Sequence, residues 1–189
     1  SRIAETADHI KILFTGNKID AMEKLGAQLN DSIVDGIPHP ALQRFDARTG
    51  RLTRLVHYLN GKMNDTADGD PAEQEFDAQT GQRTEISHYR NGVSYDGANG
   101  DPATQRFDAQ TGIRTMLKRA QNNGLEDSVD GDPADQLFDA QTGRRKRLYH
   151  YRDGHLADGV NGDPAHQEFD ALTGRRTYLA RYRNRQSND

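Results

Sequence analysis

The chain has 189 residues, a mass of 21.1 kDa and a formal net charge of −4, with 33% hydrophobic residues. That length fits one domain or one repeat array, and 29% charged residues that nearly cancel exclude a polyanionic or polycationic tail. The absence of cysteine excludes a disulfide framework, a thiolate metal site and a cysteine nucleophile, and no apolar run is long enough for a membrane-spanning helix.

The first residue is Ser1 and no apolar signal stretch follows it. The chain therefore reads as a piece of a longer or processed protein, and its compartment is left open between cytoplasmic and effector-like. Residues 1–32 differ from the rest. Ile3, Ala7, Ile10, Leu13 and Phe14, then Ile19, Met22, Leu25 and Leu29, have helical spacing, with Thr15, Gly16 and Asn17 as the break. This segment is expected to be a helical cap, or the end of a preceding domain, because an array would otherwise expose its first repeat.

From residue 33 to 189 the chain repeats. Phe45, Phe76, Phe107, Phe138 and Phe169 are 31 residues apart. Pro40, Pro71, Pro102, Pro133 and Pro164 stand five residues before them, and Gln43, Gln74, Gln105, Gln136 and Gln167 two before. A fixed period without insertions gives each copy the same geometric step, since freely solvated loops drift in length at little cost. The expected fold is mainly β: an elongated array, solenoid-like or a meander, of five 31-residue β-hairpin repeats.

Within a repeat, Ala72 to Phe76 alternates Ala, Gln and Phe with Glu73 and Glu75, which predicts a strand. The turn Asp77-Ala78-Gln79-Thr80-Gly81 follows, with Asp77 placed to accept backbone amides two and three residues on and Gly81 free to turn left-handed. A second strand runs from Arg83 to Tyr89. Its aliphatic column is Leu55, Ile86, Leu117, Leu148 and Leu179. The Tyr column (Tyr58, Tyr89, Tyr151, Tyr182) has the opposite parity, so the strand bends there or Tyr packs on the other side. Asn60-Gly61, Asn91-Gly92 and Asp153-Gly154 predict tight turns, and the third copy, with Ala120 and a displaced Asn-Asn-Gly, is expected to turn differently. The five Phe and five aliphatic side chains are expected to form one thin continuous core, with the Gln column inside it or at its edge, bonded to backbone or along a ladder.

Tyr89-Arg90-Asn91-Gly92, with the near copies Tyr58-Leu59-Asn60-Gly61 and Tyr151-Arg152-Asp153-Gly154, resembles the variant MORN repeats of bacterial proteins. The Phe-Asp-Ala-Gln-Thr-Gly turn is also similar to YD repeats of bacterial toxin shells. Ordinary MORN units are shorter, so the connector after the Asn-Gly turn is a departure. The resemblance implies a β-hairpin array used for protein or lipid contact, with antitoxin or immunity roles among bacterial members.

The connector repeats acidic residues. Asp96, Asn99 and Asp101 are weak calcium candidates, but the ligand spacing of a calcium loop is absent and turn chemistry is the default reading. His57, His88 and His150 share a column with Arg119 and Arg181 and are expected to be partly exposed strand residues. Each acidic column is copied, whereas an active site is one convergence of unlike groups, so no catalytic or cofactor-binding residue is assigned and a non-enzyme is expected. The expected function is an extended surface for a protein partner, with Arg145, Arg147, Tyr149, Tyr151, Arg176 and Tyr178 as its contact residues. The alternatives are nucleic acid or anionic membrane bound through the Arg columns, which the negative net charge disfavours, or an accessory domain of a larger enzyme or effector. The oligomeric state is left open.

Overall fold

The computed structural model describes residues 29–34 and 37–182. The two expected helices lie outside the described residues, apart from Leu29. The described chain is built from β-strands and turns. It opens with a small hairpin of β1 (Ser32–Val34) and β2 (Ile37–His39). The first repeat then gives β3 (Leu42–Phe45), β4 (Leu52–Val56), β5 (Tyr58–Leu59) and β6 (Lys62–Met63). The same four steps recur as β7 (Glu73–Phe76), β8 (Arg83–Ser87), β9 (Tyr89–Arg90) and β10 (Val93–Ser94), and then as β11 (Thr104–Phe107), β12 (Arg114–Lys118), β13 (Ala120–Gln121) and β14 (Gly124–Leu125). The fourth copy is β15 (Asp135–Phe138), β16 (Arg145–Tyr149), β17 (Tyr151–Arg152) and β18 (His155–Leu156), and β19 (His166–Phe169) with β20 (Arg176–Ala180) closes the described array.

The two longer strands of every repeat join one antiparallel meander of ten strands, in the order β3-β4-β7-β8-β11-β12-β15-β16-β19-β20. Each short pair, such as β9 with β10, forms its own two-stranded hairpin beside the sheet. The residue between the long second strand and the short hairpin (His57, His88, Arg119 or His150) belongs to no strand, which is the bend that the change of parity at Tyr implied.

The Asp turn forms as the sequence indicates. Asp77 Oδ1 accepts Gln79 N at 3.0 Å, Thr80 N at 2.7 Å and Thr80 Oγ1 at 2.9 Å, and Gly81 has φ +73°. Next to it each hairpin slips by one residue: Glu75 faces Glu85, but Phe76 faces Arg83. Such a bulge turns the following side chain to the other face of the strand. At the far end, Asn91 (φ 53°) and Gly92 (φ 78°) make the left-handed pair of a two-residue hairpin turn. The third copy does not turn differently, contrary to expectation. Asn122 (φ 51°) and Asn123 (φ 65°) occupy the same two positions, because Asn tolerates the left-handed region where the other copies use Gly.

The core is not the expected Phe column. Phe45, Phe76, Phe107, Phe138 and Phe169 are all half-buried. They stand beside the bulge at the turn end of their strands, and in the fourth repeat an Arg of the preceding repeat covers the ring: Arg114 Cζ lies 5.3 Å from the Phe138 ring centre. The tightest packing is at the bend. Ala72, Ala103, Ala134 and Ala165 are at most 1% exposed. The aliphatic column is buried in the middle of the array, with Leu117 at 4% and Leu148 at 3%, and opens at the end, with Leu179 at 45%. The Gln column is half-buried in its first three copies and lies inside in the last two. Gln136 and Gln167 are buried and donate to Pro133 O at 3.0 Å and Pro164 O at 3.4 Å, satisfying the amides.

Candidate interaction face and the buried Asp–His clasps

A carboxylate in each connector clasps the next repeat. Asp65 Oδ1 accepts Ala72 N at 2.8 Å and Tyr89 N at 3.0 Å, while His88 Nδ1 donates to Asp65 Oδ2 at 2.7 Å. Asp127 does the same with Ala134 N, Tyr151 N and His150 Nδ1, the last at 2.6 Å. In the third and fifth repeats Arg replaces His: Arg119 Nη1 lies 3.1 Å from Asp96 Oδ2, and Arg181 Nη1 lies 3.5 Å from Asp158 Oδ2. One anionic acceptor thus ties two backbone amides and one cationic or imidazole donor across the repeat boundary.

The histidines are therefore not partly exposed strand residues. His57 is 5%, His88 3% and His150 2% exposed. The bend turns them inward onto the Asp. A methyl group at Gly97 would come within 2.8 Å of His88 Cε1, and one at Gly159 within 2.9 Å of His150 Cε1, so these rings are closed in on that side too. A carboxylate–imidazole pair is the usual orientation device of acid–base catalysis. Here it recurs in three repeats inside the wall, with the ring closed off from solvent. It acts as a fastening.

Asp31 performs this role for the first repeat, accepting Ala41 N at 2.8 Å, Tyr58 N at 2.9 Å and His57 Nδ1 at 2.6 Å. It was missed in the sequence because it precedes Asp65 by 34 positions, not 31; β1 and β2 occupy the extra length. Asp96, a weak calcium candidate, has its oxygens engaged by Ala103 N, Ala120 N and Arg119, while Asn99 and Asp101 are exposed on the connector. Among the described residues, no three acidic or histidine side chains converge as a metal site requires.

Five of the six expected contact residues divide between the two faces of the sheet, and Tyr151 lies on the short β17 hairpin beside it. The bulge puts Arg145 and Arg176 on the Phe and Gln face, where Arg176 Nη1 donates to Gln167 Oε1 at 3.1 Å. Arg147, Tyr149 and Tyr178 lie on the opposite face and form a continuous aromatic run with Tyr151 and His166. Tyr151 meets Tyr149 edge-on at 6.5 Å, Tyr149 stacks on His166 at 4.3 Å, and His166 leans on Tyr178 at 4.8 Å, all between ring centres. Arg147 lies over Tyr149 at 5.2 Å. His166 escaped the sequence reading because it occupies a column of Leu42, Glu73, Thr104 and Asp135, which shows no aromatic pattern.

Charge on this face is paired across the ladder. Towards the first repeats it carries Glu73 paired with Arg54 (Nε at 2.7 Å) and Glu85 paired with Arg106 (2.7 Å). Burial, then Glu73 and Glu85, raises the Tyr89 hydroxyl above its ordinary value. Further along, burial raises the Asp135 carboxyl, with Lys118 and Arg147 opposing, and burial followed by Asp135 raises Tyr151. Two shallow grooves of about 640 and 540 Å³ run between successive short hairpins, the first walled by Tyr58, Tyr89, Tyr95 and Arg90 and the second by Tyr151 and Arg152.

Among the described residues no helix is long and apolar enough to cross a membrane. Comparison of the chain with protein-family models, with curated proteins and with solved structures finds no match.

Proposed function

We propose that the chain is a non-enzymatic repeat module whose sheet binds another protein through the aromatic run Tyr151–Tyr149–His166–Tyr178 and Arg147. The observation that carries this reading is the stack itself. Tyr149 and His166 lie 4.3 Å apart on a sheet face, flanked by Arg147 and ending at Tyr178, which is 49% exposed. Protein contact sites concentrate their binding energy in Tyr and Arg anchors of this kind. Rings held against one another lose little side-chain entropy on binding. The non-enzymatic reading is supported by the clasps: the groups best suited to acid–base chemistry are copied and enclosed. Antitoxin or immunity action is a subclass of the same reading and comes only from the resemblance to variant MORN repeats.

The test is capture of a partner by the purified chain, identification by mass spectrometry, and reassembly from purified components. Binding that survives nuclease and falls at least tenfold with Tyr149→Ala or Tyr178→Ala supports the reading. Sub-micromolar binding of DNA or RNA at physiological salt, falling steeply with added salt and abolished by replacing Arg145, Lys146 and Arg147 with Ala, would replace it with a nucleic-acid function.

A further inference from the structure

On the sheet face that carries Arg147 and Tyr149, two arginines are held by a carboxylate of the adjoining strand. Arg54 Nε donates to Glu73 Oε1 at 2.7 Å, and Arg106 Nε donates to Glu85 Oε2 at 2.7 Å. Arg147 departs from this pattern. It faces Leu137 on β15 and Glu168 on β19. Glu168 Oε1, however, is engaged by His166 Nε2 at 3.2 Å. What Arg147 has is the ring of Tyr149, 5.2 Å away, and the more distant field of Asp135. Its Nε is enclosed without a hydrogen-bond partner, and among the described residues its two terminal nitrogens have none either. Both ladder neighbours of β16 are present, so a further strand added to the array would not supply the missing acceptor.

The surroundings of Arg147 are also unlike those of the other two. The row of facing residues is charged from Arg44 to Arg106 and turns apolar at Met116 and Leu137, directly before Arg147. Met116 and Leu137 are half-buried and face each other. A guanidinium beside an apolar pair and over a ring suits a carboxylate. Its planar fork matches the two oxygens, and the apolar neighbours strengthen the contact by keeping water from it. Asp135 and Glu168 limit how much negative charge can be added here. A carboxylate brings one charge, whereas a phosphate monoester brings about two.

We infer that this face recognises an acidic residue of its partner: an Asp or Glu carboxylate takes the terminal nitrogens of Arg147, and an apolar side chain next to it in the partner lies on Met116 and Leu137. The inference rests on the proposed protein-binding function and names the chemistry of the partner at that same site.

The test pans the whole chain against a display library of short random peptides and measures the enriched sequences as fluorescent synthetic peptides by anisotropy. Enriched peptides are expected to carry Asp or Glu beside an apolar residue. Arg147→Met keeps the apolar stem and removes the fork; it is expected to weaken these peptides by about tenfold or more. The guanidinium has no hydrogen-bond partner in the fold, so this variant is expected to keep the melting temperature of the parent chain. Arg147→Glu is expected to lose the same peptides and to bind them again when their acidic residue is replaced by Lys, a recovery that a misfolded variant could not give. Peptides weakened by Tyr149→Ala but not by Arg147→Met, or enriched without an acidic residue, would overturn the inference and leave the proposed function standing. Peptides indifferent to both substitutions, or no enrichment at all, would also overturn it, and capture of the natural partner remains the separate test of the proposed function.

Discussion

Tyr149 and His166 stack across a repeat boundary, with ring centres 4.3 Å apart and planes inclined by 29°. They face each other in the ladder between β16 and β19, so the contact is part of the join between the fourth and fifth repeats. Tyr149→Ala therefore removes a proposed contact anchor and a cross-strand contact together. Tyr149→Phe keeps the ring and is expected to leave the melting temperature within about a degree. Loss of partner binding in Tyr149→Phe would place the hydroxyl in the contact, and unchanged binding would place it in the ring alone.

The aliphatic column tests the core from within one residue type. Leu148→Ala, at a site 3% exposed, is expected to cost about 2–5 kcal/mol in urea unfolding. Leu179→Ala, at 45% exposure, is expected to cost under about 1 kcal/mol. Phe138→Ala falls between them at about 1–2 kcal/mol, since the ring is half-buried and part of its cover is the Arg114 guanidinium. A Phe138 loss equal to that of Leu148 would restore the Phe column as the core.

Much of this fold was legible in the sequence because the period is exact from Phe45 to Phe169 and each turn carries its own chemistry. Asp77 with Thr80 and Gly81, and Asn91 with Gly92, specify their turns locally, so those positions needed no tertiary information. What failed depended on the third dimension. The bulge between Glu75 and Phe76 changes which face Arg83 shares, and no residue type announces a bulge. The same slip separated Arg145 and Arg176 from the tyrosines they neighbour in sequence. The histidines looked like exposed strand positions because their Asp partners lie 23 residues away in the preceding connector, beyond any local pattern.

The Asp turns give the array a weak acid sensitivity. Asp46, Asp77, Asp108 and Asp139 are held below the ordinary carboxylate value of 3.8, chiefly by the amide of the Thr three residues on and then by its hydroxyl; for Asp170 the hydroxyl comes first. A lowered folded value means that the stabilisation is complete above 3.8 and is lost as pH falls through the folded value. The melting temperature is expected to fall below about pH 4, and Asp108→Asn, which keeps an acceptor without the titration, is expected to flatten that slope. These carboxylates are solvated, so the effect per turn is small and the five add up. A slope unchanged in Asp108→Asn would place the acid sensitivity elsewhere.

The clasp predicts a sharper result. Asp127 Oδ1 receives the amides of Ala134 and Tyr151, both at 2.9 Å, and Oδ2 receives His150 Nδ1 at 2.6 Å. Asp127→Ala leaves three donors without an acceptor, and the site is too enclosed for water to replace it freely, as His150 is 2% exposed. The expected loss is about 3–5 kcal/mol. Asp127→Asn keeps the oxygen that serves both amides and changes only the His contact, where the imidazole can switch tautomer and accept from the new amide. It is expected to cost about 1 kcal/mol. Asp108→Ala removes an equally repeated Asp from an exposed turn and is expected to cost less than Asp127→Ala, because water reaches its donors. Urea unfolding of the three variants decides the matter. If Asp127→Ala is no worse than Asp108→Ala, the clasps do not hold the repeats together, and the join rests on the β-ladder alone.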